Sequence, residues 1–430
     1  MHPHHSVFIA CVLTCTLPLQ AQSITLDEAL SAARSDNKEI KVATLELAQS
    51  RRENSVNDWL PSISLQLGAS ASASIIDKTF NASYSLGGVT WSLDSANHTA
   101  SKANRVLSNE SAQLAYQSKV NSIDSRVTTA YWNAEASRLA LESRQNTLGR
   151  NQRELETIQN KFEAGTATTL SVSQAEMSVA DARYQAQIAR QTYQTALTTL
   201  SNLTNLDIGE DTVFQEMPKG FSLKGRSLLA GNLEDTTTIK QYALALARAR
   251  QALVNETSEG KGISVNVSAR TSFGDSIYSY RDSDGSWGFS DFADTTTLGV
   301  TVSVPLDHLF QNSSTSIAID SARYDIQIAE LNLQKALEDL QTGVDDAITS
   351  VQQAEANLLL LDHHLALAQK QLDLTQASYD AGKSSFSDLE DAKQAVSDAE
   401  LAKVQQQLNH TIALYDLATL LECPVADLAR

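Results

Sequence analysis

From Leu340 to Tyr379 the apolar and small positions fall at Leu340, Val344, Ala347, Val351, Ala354, Leu358, Leu361, Leu365, Ala368, Leu372, Thr375 and Tyr379. The steps alternate between four and three residues, the heptad spacing of a helix packed lengthwise on other helices. The run holds no Pro and a single Gly, Gly343. It ends at Tyr379-Asp380-Ala381-Gly382, where Gly takes the left-handed turn that stops a helix. A second helical pattern follows, so the unit is a long helical hairpin with its tip at Gly382.

The unit occurs twice. Gly382 follows Gly165 by 217 residues, and the same offset carries the seam back to Ile123, Val127, Ala130, Ala134, Ser137, Leu141, Arg144, Leu148, Asn151, Leu155, Ile158 and Phe162. The register survives, although Arg144 and Asn151 interrupt its apolar character. Phe162-Glu163-Ala164-Gly165 matches the second tip, and beyond the tips Ala175 pairs with Ala392, Val179 with Val396 and Ala182 with Ala399. An internal duplication is the economical reading, with a period far beyond that of a solenoid.

The segments before each hairpin follow one order. Ile24 to Leu30 opens a helix, with Thr25 as its cap and Glu28 closing a capping box; this helix is expected to reach about Asp58. Beyond Pro61 the period becomes two. Ile63, Leu65, Leu67, Ala69, Ala71 and Ala73 alternate with Ser64, Gln66, Gly68, Ser70 and Ser72, a strand with one apolar and one polar face. After a turn near Asp77-Lys78, a second strand carries Phe80, Ala82, Tyr84, Leu86, Val89, Trp91 and Leu93. Its phase flips at Gly87-Gly88, which predicts a bulge. Long helices are expected over 99–162 and 169–206, the first on the order of 95 Å in length. An irregular link covers 207–232. The second half repeats the order with a helix over 236–256 and strands at 263–269 and 298–304. Between those strands lies a polar loop, 275–294, with Tyr278, Tyr280, Trp287, Phe289 and Phe292. Helices over 314–379 and 386–421 follow.

The chain thus divides into a secretory leader over 1–22, a first repeat over 23–220 and a second over 221–430. The first holds a strand hairpin at 60–94 and a helical hairpin at 97–206; the second holds them at 262–306 and 312–421. The leader reading rests on the apolar run from Val7 to Leu19 and on the small Ala21 near a cleavage point; the segment before it carries His2, His4 and His5 but no Lys or Arg, which a tag remnant or a mis-called start explains equally well. Cys11 and Cys15 fall inside it. Only Cys423 is left beyond it, so no disulfide framework is expected. Thr14 in place of a smaller residue before Cys15 argues against lipid attachment there.

Composition narrows the function. A net charge of −18 argues against nucleic acid, because phosphate binding needs a basic footprint. No later stretch is apolar for long enough to be a membrane-spanning helix. No Gly-rich phosphate loop, HExxH or CxxC is present, so neither an enzyme nor a cofactor is expected. His363 and His364 are adjacent and point to different helix faces, which suits solvated surface better than a metal site. Trp59, Trp91, Trp132 and Trp287 read as packing or interface residues. The polar strand faces are rich in Ser, Thr, Asn and Gly, as in a wet lumen. Four strands cannot close a barrel, and open sheet edges are not tolerated in lipid. The chains are therefore expected to pool their strands in a closed cyclic oligomer.

With Ile24-Thr25-Leu26-Asp27-Glu28-Ala29-Leu30, Tyr131-Trp132 and the duplicated aromatic-acidic-Ala-Gly tips, each followed ten residues later by Ala, the chain resembles the TolC family of outer-membrane efflux proteins. The resemblance covers essentially the whole length beyond the leader. It implies a mainly α fold with a membrane β-barrel contribution. Three chains would share a twelve-stranded barrel in outer-membrane lipid and an α-helical tunnel through the periplasm. It implies a periplasmic adaptor and an inner-membrane transporter as partners. Asp388 and Asp391 match family positions that line the periplasmic constriction, and Tyr379 one that ties the closed entrance by hydrogen bonds. The tips Ala164, Gly165, Thr166, Ala381, Gly382 and Lys383 are where an adaptor would dock. The chain also departs from the family. Lys383 and Ser384 follow Gly382 where some members carry an Arg two residues beyond the Gly. Ser171 and Gln174 stand where the second repeat has Asp388 and Asp391. Exit ducts for small molecules and for secreted proteins share these features. A periplasmic coiled-coil scaffold is the alternative of another class.

Overall fold

A computed structural model describes residues 23–55, 62–74, 79–218, 223, 230–261, 263–281, 286–289, 293–306, 310 and 312–428. The expected leader over 1–22, Trp59, the expected turn at Asp77-Lys78, Phe292 and part of the link over 207–232 lie outside them. The helices are α1 (Leu26–Asp36), α2 (Lys38–Glu53), α3 (Ser95–Glu163), α4 (Thr169–Thr204), α5 (Thr237–Lys261), α6 (Ser314–Asp380), α7 (Phe386–Leu420) and α8 (Val425–Leu428). The strands are β1 (Ser23–Ile24), β2 (Ser62–Ser74), β3 (Thr79–Asp94), β4 (Val213–Phe214), β5 (Ser264–Arg281), β6 (Ser286–Phe289) and β7 (Ala293–Ser303). No described helix is long and apolar enough to cross a membrane. Two compact units result, Met1–Lys41 with Val120–Leu229 and Val344–Arg430, and Val42–Lys119 with Ala230–Gly343. Each sequence repeat contributes to both.

The unit containing the sheet is antiparallel throughout, in the order β2-β3-β5 with both β6 and β7 on β5. Its register joins apolar positions in rows. Trp91 pairs with Ala269 and Ala269 with Leu298; Leu93 pairs with Val267 and Val267 with Val300. The expected bulge is displaced. The extra residue lies in β2, between Ser64 and Leu67, across from Gly87, while β3 pairs with β5 without a shift. The shift is what keeps the rows apolar, because odd residues of β2 meet odd residues of β3 on one side (Ile63 with Val89) and even residues on the other (Ala69 with Tyr84). A second shift sits in β5 between Ser272 and Asp275, at the same level, since Ser272 pairs with Gly88. The expected polar loop 275–294 is largely strand. Tyr278 pairs with Phe289 and Tyr280 with Trp287, so these four aromatics follow period two after all. Helices of this unit run in the order α2, α3, α5, α6. Arg51 donates to Gln113 and Asn54 to Asn109; Asn255 donates to Asn104; Arg250 pairs with Glu330 at 3.0 Å.

In the other unit the capping box forms as expected, with the Glu28 N–H donating to Thr25 Oγ1 and the Thr25 N–H to Glu28 Oε2. The single helix expected to reach Asp58 is instead two, broken at Asn37, whose ψ is 129°. Asn37 is buried and uses both ends of its amide. Its Oδ1 accepts from the Glu39 N–H at 2.8 Å, capping α2, and its Nδ2 donates 2.8 Å to the Leu203 carbonyl near the end of α4. A short polar side chain that satisfies a helix start and a distant carbonyl outweighs the cost of the break.

Tyr131 and Trp132 are fully buried on α3. The Tyr131 hydroxyl donates to the Ile24 carbonyl at 2.7 Å and accepts from the Gln215 N–H at 2.8 Å, fastening the parallel pair β1 and β4 to α3. Its ring stands edge-on to Trp132 and Phe214 at 5.0 and 5.3 Å. Burial pushes its phenol up to about 12, against the pull of the Gln215 N–H. The fold prefers the neutral phenol. The stability this gives is therefore complete below the ordinary tyrosine pKa of about 10 and is lost as pH rises from about 10 to about 12. Tyr131→Phe removes one buried and one half-buried hydrogen bond and is expected to cost about 1–3 kcal/mol at neutral pH. Its unfolding midpoint should also fall less steeply than that of the natural protein across that alkaline window. Denaturant melts at a series of pH values check this; parallel slopes for the two proteins would contradict it.

Candidate functional site

Both tips are built alike. Gly165 (φ 73°) and Gly382 (φ 70°) occupy the left-handed region that ends each long helix. The Gly165 N–H donates to the Phe162 carbonyl at 2.9 Å and the Thr166 N–H to that of Lys161 at 2.8 Å. At the second tip Gly382 and Lys383 donate to Tyr379 and Ser378 at the same distances. These are paired 5→2 and 6→1 closures, which satisfy carbonyls that a helix end otherwise leaves orphaned. Ala164, Gly165, Thr166, Ala381, Gly382 and Lys383 are all exposed.

The return helices start differently. The Thr168 side chain caps α4, accepting from the Ser171 N–H at 3.2 Å. Ser385 caps α7, accepting from the Asp388 N–H at 3.1 Å, and the Asp388 carboxylate accepts from the Ser385 N–H at 2.8 Å. Asp388 is thus the acid of a capping box. Its hydrogen bonds to the Ser385 hydroxyl and N–H hold its carboxyl below the usual range. Asp391, one turn on, is exposed beside it. The pair shares a face, as a spacing of three requires.

Between the tips lies a small core. Ile158 of α3, Ala175 of α4 and Phe386 of α7 are buried together, with Leu155, Ala167, Val172 and Tyr379 packed against them. Tyr379 lies tilted against Phe386, ring centroids 6.2 Å apart, and the Lys161 ammonium sits 5.5 Å from the Tyr379 ring. The cation at the Tyr379 ring therefore comes from the first hairpin. Burial pushes the Tyr379 phenol up, and the carboxylates of Glu154, Asp380 and Glu390 add to it. Lys393 of α7 completes the region, 3.0 Å from Glu390 and 3.6 Å from Glu154 of α3. Sequence reasoning missed Phe386, Lys161, Glu154 and Lys393. Phe386 alone carried a signal, as a large aromatic at the first position of a return helix.

The contacts fix the order of helices in this unit as α4, α3, α7, α6. Asn151, which interrupts the first seam, donates to the Ser178 carbonyl of α4. Ser143 and Thr147 of α3 meet Glu400 and Ser397 of α7. Gln406 and Lys403 of α7 meet Ala354 and Asp362 of α6. The seam from Leu340 to Tyr379 is buried or half-buried throughout. A second set of apolar residues is not covered. Leu170, Met177, Tyr184 and Ile188 on α4, and Leu360, Leu367 and Leu374 on α6, are all exposed at near-heptad spacing. His363 and His364 are exposed, and no group of described His, Cys, Asp or Glu residues is placed to hold a metal.

No curated protein sequence matches the chain. Solved structures do. It is similar to a membrane protein from Pseudomonas aeruginosa, with a TM-score of 0.72 and 17% identity over 92% of this chain and 93% of that one. The CmeC outer membrane channel of Campylobacter jejuni aligns with a TM-score of 0.73 and 14% identity, over 92% of this chain and 85% of the other. The outer membrane protein VceC of Vibrio cholerae gives 0.70 and 18%, over 93% and 96%. These likenesses carry the fold. The family follows from the match of residues 29–206 and 233–421 to the outer membrane efflux protein model. This chain therefore belongs to the outer membrane efflux protein family, and the outer membrane is where it resides.

Proposed function

We propose that the chain is one third of a trimeric exit duct for small molecules, working with a periplasmic adaptor and an inner-membrane transporter. The observation that carries this reading is the row of helices α4-α3-α7-α6. Its two outer members, α4 and α6, each present an exposed apolar stripe. A row with two sticky edges joins head to tail, and head-to-tail contacts that close make a ring. The sheet supports the same conclusion. Leu298, Val300, Val302 and Val304 are exposed and alternate with exposed Thr297, Thr301 and Ser303. One face suits lipid and the other water. Closure of β2 on the β7 of a neighbour removes edges that lipid does not tolerate. Four long strands from each of three chains make the twelve-stranded barrel that the family resemblance implies.

At the tips, the exposed residues of 164–166 and 381–383 form the docking surface for the adaptor, flanked by exposed Phe162 and Leu170. Asp388 and Asp391 face the mouth of the ring, where six carboxylates favour cations. Tyr379 with Phe386 and Ile158 holds the closed arrangement.

Two experiments test this. With Cys423 replaced by Ser, Met177→Cys and Leu367→Cys in one chain should oxidise to a covalent trimer on denaturing gels. Disulfides confined within single chains would overturn the ring. In planar bilayers the natural protein should conduct cations preferentially. Asp388→Asn with Asp391→Asn should abolish that preference and leave assembly intact, because an Asn at 388 keeps an oxygen for the Ser385 N–H. Unchanged ion selectivity would reduce the two carboxylates to helix-start acids, whose attraction to the macrodipole is about 0.3–1 kcal/mol.

A further inference from the structure

His410 of α7 is 2% exposed, and among the described residues neither of its ring nitrogens has a hydrogen-bond partner. A neutral imidazole carries one N–H and one lone pair, and burying both unmatched costs stability that an apolar side chain would not. Its place follows from its neighbours. Lys403, Gln406 and His410 are spaced three and four apart, so they share one face of α7. Lys403 pairs with Asp362 of α6, and Gln406 donates to the Ala354 carbonyl of the same helix. His410 therefore lies against α6 as well, about seven turns from the start of α7. Val351 and Ala354 of α6 are buried at that level.

The surroundings offer a protonated ring little support. Burial holds the imidazole below its ordinary range, and the charge of Glu355 on α6, which is exposed, only partly offsets this. Asp362, farther along α6, is taken by Lys403. On α3 the acid at the level set by the Ser143–Glu400 and Thr147–Ser397 contacts is Glu135, which Arg138 holds at 2.8 Å. Asp27 of α1 acts on Tyr415 instead. Asp416 of α7 itself stands on another face of the helix. We propose that His410 is an acid-sensitive joint inside the second hairpin: on taking up a proton its ring leaves the dry seam, and α6 and α7 part there, well away from the tip. The sign follows from linkage. The fold prefers the neutral ring, so this contribution to stability is complete above about pH 6.5. It is lost as pH falls below that value, by at most about tenfold in the closed-to-open ratio per pH unit. A protein of the outer membrane meets the acidity of its surroundings, so mild acid sets how tightly this hairpin is zipped. The inference concerns packing within one chain and does not need the exit-duct reading.

The test is local. In the assembled full-length protein carrying Cys423→Ser, Val351→Cys places a thiol in the seam, where Val351 is 0% exposed. Its rate of maleimide labelling is compared at each pH with that of the same protein carrying His410→Leu, so that the titration of the thiol and of every other group cancels. The ratio of the two rates, with His410 intact over the variant, should be steady down to about pH 7 and rise several-fold by about pH 5.5. His410→Gln is polar but does not titrate. It should behave as His410→Leu does, and it carries the test should that variant fail to assemble. His410→Arg keeps a charge in place at every pH and should label fast even at about pH 8. A ratio that stays flat to acid pH would overturn the joint. So would an acid rise that His410→Gln reproduces in full, because the titrating group would then lie elsewhere.

Discussion

A helix of 69 residues cannot bury itself. Its seam from Ile123 to Phe162 covers about eleven turns, and water must be excluded along it by other helices lying alongside. Every larger feature of the chain follows from that constraint. Helices α3 and α6 need antiparallel return helices, which the tips supply. The hairpins then need each other, and α3 and α7 meet through Ser, Thr and ion-pair contacts as well as apolar ones. Even so, the outermost helices still present apolar stripes. Row packing differs from bundle packing in this respect. A bundle closes on itself, whereas a row leaves two edges that must find partners.

The helices were legible in the sequence because heptad spacing over ten turns has few other meanings. The duplication was legible because the tips require Gly in a conformation that other residues avoid. Asn37 was illegible because the pattern runs straight through it. What breaks the helix is the carbonyl of Leu203, more than 160 residues away and invisible to a local reading. The strands beyond Asp275 were mistaken for loop because Gly, Ser and Asp dominate there. Tyr278 and Tyr280 nonetheless alternate as strand residues do. The bulge was placed one strand too far along: a phase flip in β3 can be answered by a register shift in its neighbour, and the sequence of one strand does not say which.

At the tips, the residues picked for chemistry turned out to have structural work as well. Asp388 completes a capping box. Tyr379 packs on Phe386 beneath a lysine from the opposite hairpin. Lys393 and Glu154 escaped notice because a salt bridge between segments more than 200 residues apart has no local signature. Tyr131 and Trp132 were picked as family marks, and their job is architectural: a phenol that binds two backbone groups holds β1 and β4 to the long helix.

Duplication also left the two tips chemically unequal. Where α7 begins with Ser385 and Asp388, α4 begins with Thr168 and Ser171, whose hydroxyls lie 2.9 Å apart. Both pairs cap a helix start by a side-chain oxygen, and Asp388 alone adds a second bond, from the Ser385 N–H, so the shape of the turn scarcely distinguishes them. An ion does. Around the mouth of the proposed trimer, uncharged and acidic helix starts would take turns, so a ring with six similar corners in shape would have only three in electrical potential. A cation arriving there would meet three attractive lanes separated by neutral ground. A ligand with three arms, or a partner present in three copies, could read that pattern where a sixfold one would give it no orientation.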